Sequence, residues 1–129
     1  MTKQIIVDTN VFLRLLSVEK SPLKPEAKKI LLQAQQGKYT ILMNELVVGE
    51  CLWVLSSYYH LSKVTVVDML KKLILRESIE IKNKHVVLNS LDMFQSCNLS
   101  WVDCFLYCQS EFLNLNLITF DDKLARLCK

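Results

Sequence analysis

Glycine is nearly missing from this chain: two residues, Gly37 and Gly49, in 129. The phosphate-cradling loops GxxxxGK[ST] and GxGxxG each need more glycine than that in one place, so ATP and dinucleotide chemistry by those routes is excluded. Histidine is as scarce, and His60 and His85 stand apart in sequence and read as surface or packing residues. The five cysteines (Cys51, Cys97, Cys104, Cys108, Cys128) are an odd number without a CxxC unit. Cys104 and Cys108 are one helical turn apart, but no second pair or histidine stands nearby to complete a zinc site. Buried, reduced thiols are expected. Long apolar runs are absent too. The longest, Leu46 to Leu55, is about half the length that spans a bilayer and contains Glu50. The start, MTKQIIVDTN, lacks the apolar core of a secretory signal, so a cytoplasmic protein with no membrane partner is expected. The net charge of +3 is too small to identify nucleic acid as a ligand. Lys20, Lys24, Lys28 and Lys29 read as a solvated helix face.

What is present is apolar: hydrophobic residues make up 51% of the chain and charged ones 22%, a globular composition with a slight apolar excess that hints at a partner surface. The length predicts one domain over residues 1–129 that needs no disulfide staples. Gln4 to Val7 reads as a strand, Asn10 to Leu16 as a helix, and Leu23 to Ala34 as a second helix stopped by Gly37. Tyr39 to Met43 reads as a strand, and Asn44 caps an apolar helix running to about His60. Lys63 to Arg76 is amphipathic, with Val66, Val67, Leu70, Leu73 and Ile74 inward. Ile79 to Ile81 is a brief strand, Lys84 to Cys97 and Ser100 to Leu113 are helices, Leu115 to Phe120 is a strand, and Asp121 or Asp122 starts the last helix. Short strands alternating with helices predict an α/β domain with a parallel sheet, whose ligand site lies beyond the carboxyl ends of the strands.

Four carboxylates stand at such places. Asp8 follows the first strand and precedes a helix, and Asp121 follows the last strand in the same way. Either could simply cap its helix. Asp103 stands three residues after Ser100, a spacing that fits a capping box. Glu50 has Leu46, Val47, Trp53 and Val54 as its helical neighbours, so it is expected to be buried, and a buried charge needs a partner. That partner is either a bound metal or a core arginine, Arg14 or Arg126. Taken together, converging carboxylates usually hold hard divalent cations, and oxygen-only ligation suits Mg²⁺ or Mn²⁺ better than zinc. Two such ions can clamp a phosphodiester, activate a water and stabilise the leaving oxygen.

The segment IIVDTNVFLRLL resembles the opening of PIN domains, in which a strand delivers an aspartate into D-[TS]-N. NELVVGECLWVL is similar to the helix that carries the family's glutamate, which falls on Glu50. SWVDCFLYCQS resembles the helix start with the second metal-binding aspartate, which falls on Asp103, and LITFDDKL resembles the T-x-D strand end, which falls on Thr119 and Asp121. Spacing from Thr119 selects Asp121 over Asp122. The resemblance implies a three-layer α/β/α fold with a central parallel sheet and a Mg²⁺- or Mn²⁺-dependent endoribonuclease of the VapC toxin type. It further implies a homodimer that acts on RNA and is held by a cognate antitoxin. Asp8 and Asp103 would be the principal metal ligands, Glu50 and Asp121 would complete the set, and Asn10 and Thr119 would orient ligands or a water from behind. Two other functions fit less of the chain. A phospho-aspartyl phosphatase would use Asp8 as nucleophile, but wants an acid where Asn10 stands and a lysine that only Lys123 offers. A PIN-like module that binds RNA or protein without cutting would not require all four acids.

Overall fold

The computed structural model describes residues 3–17 and 20–128, so the expected domain of residues 1–129 runs at each end beyond the described residues. The elements fall into two compact units, Met1–Lys82 and Asn83–Lys129. The N-terminal unit contains β1 (Gln4–Ile6), α1 (Thr9–Leu16), α2 (Lys24–Gln35), β2 (Thr40–Leu42), α3 (Glu45–Ser57), α4 (Lys63–Ile74) and β3 (Ile79–Glu80). The C-terminal unit contains α5 (Lys84–Ser96), α6 (Trp101–Leu113) and α7 (Asp122–Leu127).

In the N-terminal unit the three strands form a parallel sheet in the order β1-β2-β3, with Ile5 opposite Ile41 and Ile41 opposite Ile79. β2 is central, and its Ile41 is buried, as a strand paired on both sides should be. Helix α1 packs on α2 and α3, α3 packs on α4, and α4 reaches β3. Phe12, Val48, Leu55, Leu70, Ile74 and Ile79 are wholly enclosed, each contributing about 1.5–3 kcal/mol of apolar burial. The five inward positions expected on α4 are all buried. Its start is capped by Ser62, whose Oγ accepts from Thr65 N at 3.2 Å. Asn44 caps α3 in the same way, from Val47 N at 3.1 Å. Gly37 takes φ 86°, the left-handed geometry that ends α2 at a residue without a Cβ.

The C-terminal unit is a helical hairpin, α5 against α6. Asn83 opens α5 and Asn114 closes α6, both in the left-handed region, where asparagine is the commonest substitute for glycine. Val86, Val87, Leu91 and Trp101 are buried. The Trp101 indole N–H donates to Ser90 Oγ at 2.9 Å, and Ser90 in turn donates to the Val87 carbonyl at 2.6 Å, so neither buried polar group is orphaned. A second cluster joins Leu99, Cys104 and Leu124, with Met93, Phe94, Tyr107 and Leu117 packed around it.

The strand expected over Leu115 to Phe120 does not form. Leu117 and Thr119 are half-buried while Leu115, Ile118 and Phe120 are exposed, so the segment keeps much of the alternation of a strand. Among the described residues, however, its own unit contains no strand to pair with, and without a ladder partner an extended segment is not a sheet strand.

Candidate functional site

Asp8 stands two residues past the carboxyl end of β1 and is the N-cap of α1. Its Oδ1 accepts from Val11 N at 3.3 Å, and the backbone there is extended, as an N-cap requires. Asp8 and Asn10 are both exposed and line one cavity of about 320 Å³ with Arg14, Glu26 and the apolar side chains of Val11, Leu23, Ala27 and Ile30. Thr9, between them, is buried. The Nε of Arg14 is buried in this wall without a hydrogen-bond partner.

Glu50 corrects an expectation. It is exposed, not buried. Helix α3 turns Val48, Cys51, Leu52 and Leu55 to the core, which carries the stripe of Leu46, Glu50, Trp53 and Ser57 outward. Leu46 is 79% and Trp53 68% exposed. A helix that is apolar all round gives no sign in its sequence of which face will be turned in. With its carboxylate in water, Glu50 pays no burial penalty and requires neither a core arginine nor a cation to exist where it does. Its charge acts on its neighbour: burial pushes the Cys51 thiol up to about 12, with Glu50 adding to the rise. Within the N-terminal unit, Glu50 does not line the cavity that holds Asp8.

In the C-terminal unit two expected residues come together. Asp103 and Asp121 line one cavity of about 580 Å³, with Asp122, Lys123, Arg126, Phe120 and Ser100. Ser100 rather than Asp103 caps α6, its Oγ accepting from Asp103 N at 3.2 Å. The Asp103 side chain, half-buried beside inward-facing Cys104, is therefore not consumed by capping. Asp121 does cap: its Oδ2 accepts from Leu124 N at 2.8 Å, which leaves its second oxygen for another partner. Thr119 Oγ accepts from Asp121 N at 3.1 Å, so the threonine fixes the turn that presents the aspartate. Asp122 lines the same cavity, but the cap bond and the Thr119 contact both belong to Asp121.

Among the described residues, neither unit by itself gathers three or more acidic, histidine or cysteine side chains closely enough to hold an ion. The donor chemistry of the C-terminal cavity nevertheless fits a hard divalent cation, because its anionic donors are all carboxylate oxygens. Both histidines lie outside these cavities. His85 is exposed and meets Phe112 edge-on with ring centroids 4.3 Å apart.

The thiols differ from expectation in one respect. All five are free, but only Cys51 and Cys104 are buried, and Cys128 is exposed. Cys97 and Cys104, seven residues apart, bring their sulfurs to 3.5 Å, because Cys97 ends α5 where α6 begins. Burial, with the Cys97 contact behind it, pushes the Cys104 thiol up to about 12.

A parallel sheet whose first strand leads through the capping Asp8 into a helix defines an α/β protein. The family model described as PIN domain matches residues 5–129, and the chain belongs to that family, with its α/β/α fold class. PIN domains are in general nucleases, hydrolases that typically use divalent metals. No match is found among curated proteins. Among the described residues, no helix is long and apolar enough to cross a membrane.

Proposed function

We propose that this protein is a Mg²⁺- or Mn²⁺-dependent endoribonuclease, the toxin of a type II toxin-antitoxin system. It acts in the cytoplasm as a homodimer and is held in check by a cognate antitoxin. Asp8, Glu50, Asp103 and Asp121 form its metal-binding and catalytic set. The observation that carries this reading is the shared cavity of Asp103 and Asp121, reached from two different helix starts, in a chain of the PIN family. Two carboxylates facing one space repel each other, an arrangement that costs stability unless a cation relieves it.

The residues divide the work. Asp103 offers a carboxylate free of capping, and Asp121 offers the oxygen that its cap bond leaves over. Thr119 holds Asp121 through its backbone, and Asn10 stands beside Asp8 in the same cavity. Bound Mg²⁺ or Mn²⁺ would supply Lewis-acid stabilisation of phosphodiester charge and an activated water at neutral pH. Neither histidine is required as a base.

The test is direct. Purified protein incubated with RNA should cut it in the presence of Mg²⁺ or Mn²⁺, and excess EDTA should stop the cutting. Expression of the chain should slow growth, and Asp8→Asn should relieve that effect. Cleavage that survives EDTA, or equal growth inhibition by both proteins, would overturn the proposal.

A further inference from the structure

The cavity that holds Asp103 and Asp121 also contains Asp122, so three carboxylates face any phosphate that enters. The same cavity carries two cations, Lys123 and Arg126, spaced three residues apart on α7 and therefore on one side of it. Arg126 is held in place, since its Nε donates to the Asp122 carbonyl at 3.2 Å. That bond fixes the planar head and leaves both terminal nitrogens as donors, the fork that grips phosphate in two places. The third feature is Phe120, which lines the cavity with its side chain fully in solvent, at 103% exposure. Leu117, three residues earlier, packs into the core, so the segment has an inner side and Phe120 is not on it.

A bare aromatic ring beside two cations is the combination that binds single strands: stacking takes the base, and the cations take the backbone. Bases inside a duplex are stacked already and present no face to a ring. We propose that Phe120, Lys123 and Arg126 form a lip that holds single-stranded RNA across the Asp103/Asp121 cavity, the ring stacking on an unpaired base and the cations gripping adjacent phosphates. The proposal rests on the nuclease reading above and adds the residues that hold the RNA at that site.

Binding is measured by fluorescence anisotropy with a labelled, mixed-sequence oligoribonucleotide, single-stranded or annealed to its complement, in Ca²⁺, with the RNA checked on a gel for integrity. Wild type should prefer the single strand. The double variant Lys123→Ala/Arg126→Ala should lower the slope of log affinity against log salt by about 1.4, which is two phosphates at roughly 0.7 each. Phe120→Ala should weaken binding about fivefold or more, and Phe120→Trp should restore it. Cleavage with Mg²⁺ is assayed separately on unlabelled RNA. Wild type that binds through these residues but cuts nothing sinks the nuclease reading and leaves the lip standing. Wild type that cuts, with the salt slope unchanged in the double variant, sinks the lip alone. Equal affinity for duplex also refutes the lip. So does a Phe120→Ala variant that melts several degrees lower while binding as before, because its ring would then be packing against protein.

Discussion

Replacing Asp121 tests capping and metal binding separately, because the structure says what each replacement removes. Asp121 Oδ2 takes the Leu124 amide at 2.8 Å and starts a helix of six residues whose one buried side chain is Leu124. Asparagine keeps a side-chain oxygen for that amide and caps about as well as aspartate, whereas alanine loses the bond at a cost of about 1 kcal/mol. For a chain of this length that is a fall of about 4 °C in melting temperature. In EDTA, Asp121→Ala should therefore melt lower than wild type. Asp121→Asn should match or slightly exceed it, since it also removes one charge facing Asp103. Divalent metal reverses the order. An ion at a hundredfold its dissociation constant stabilises the native state by about 2.7 kcal/mol, or about 10 °C on the same scale. Wild type should gain that shift in Mg²⁺ or Mn²⁺, and both variants should lose most of it. Differential scanning fluorimetry across a metal titration reads all of this. A wild type indifferent to both ions, or an asparagine variant that keeps the full shift, would show that the carboxylate is a cap and nothing more.

Glu50→Gln tests the opposite case: the residue is exposed, so its loss should leave the melting temperature nearly unchanged while metal-dependent RNA cleavage falls by about tenfold or more. Stability should fall at alkaline pH. The Cys51 thiol is pushed by burial up to about 12 from 9.0. Above pH 9 the unfolded chain therefore releases a proton that the native state retains, and stability declines by about 1.4 kcal/mol per pH unit until the native thiol ionises. Cys104, pushed up alike, adds a second contribution of the same sign, so Cys51→Ala should remove about half of the decline in urea melts run from pH 8 to 11. Ser90→Ala should cost about 1–3 kcal/mol in the same assay, because it leaves the buried Trp101 indole N–H without its 2.9 Å acceptor.

The elements that could be read from sequence are those whose signal is local. Asn44, Ser62, Ser100 and Asp121 each satisfy an orphaned amide one turn on, and of these only Ser62 lies outside the sequence expectations. Its Ser-x-x-Thr pattern lacks the Glu or Gln at the third helical position that marks a capping box. Gly37 and the inward face of α4 were equally plain, since a left-handed stop and a 3.6-residue period need no knowledge of the rest of the chain. The strand at Leu115 to Phe120 fails for the reason these succeed. A helix closes its hydrogen bonds within itself, and a strand borrows them from elsewhere in the sequence. Alternating apolar residues state only that a segment can be a strand.

The same distinction runs through the acids. At Asp8 and Asp121 capping and a role in the site do not exclude each other, because the cap bond occupies one oxygen of each carboxylate. Capping alone therefore does not decide whether either side chain has a second partner. Asp103 is the converse case. Ser100 already serves as the cap, so capping does not account for a half-buried aspartate that lines one cavity with Asp121. Apolar neighbours predict burial of Glu50 only if those neighbours themselves lie inside. With Leu46 and Trp53 in the open, the apolar stripe around Glu50 describes a surface and not a core. What makes Glu50 a candidate is then its family position alone, which is why its replacement, silent in stability and costly in activity, is the sharper test of whether four acids or three carry the chemistry.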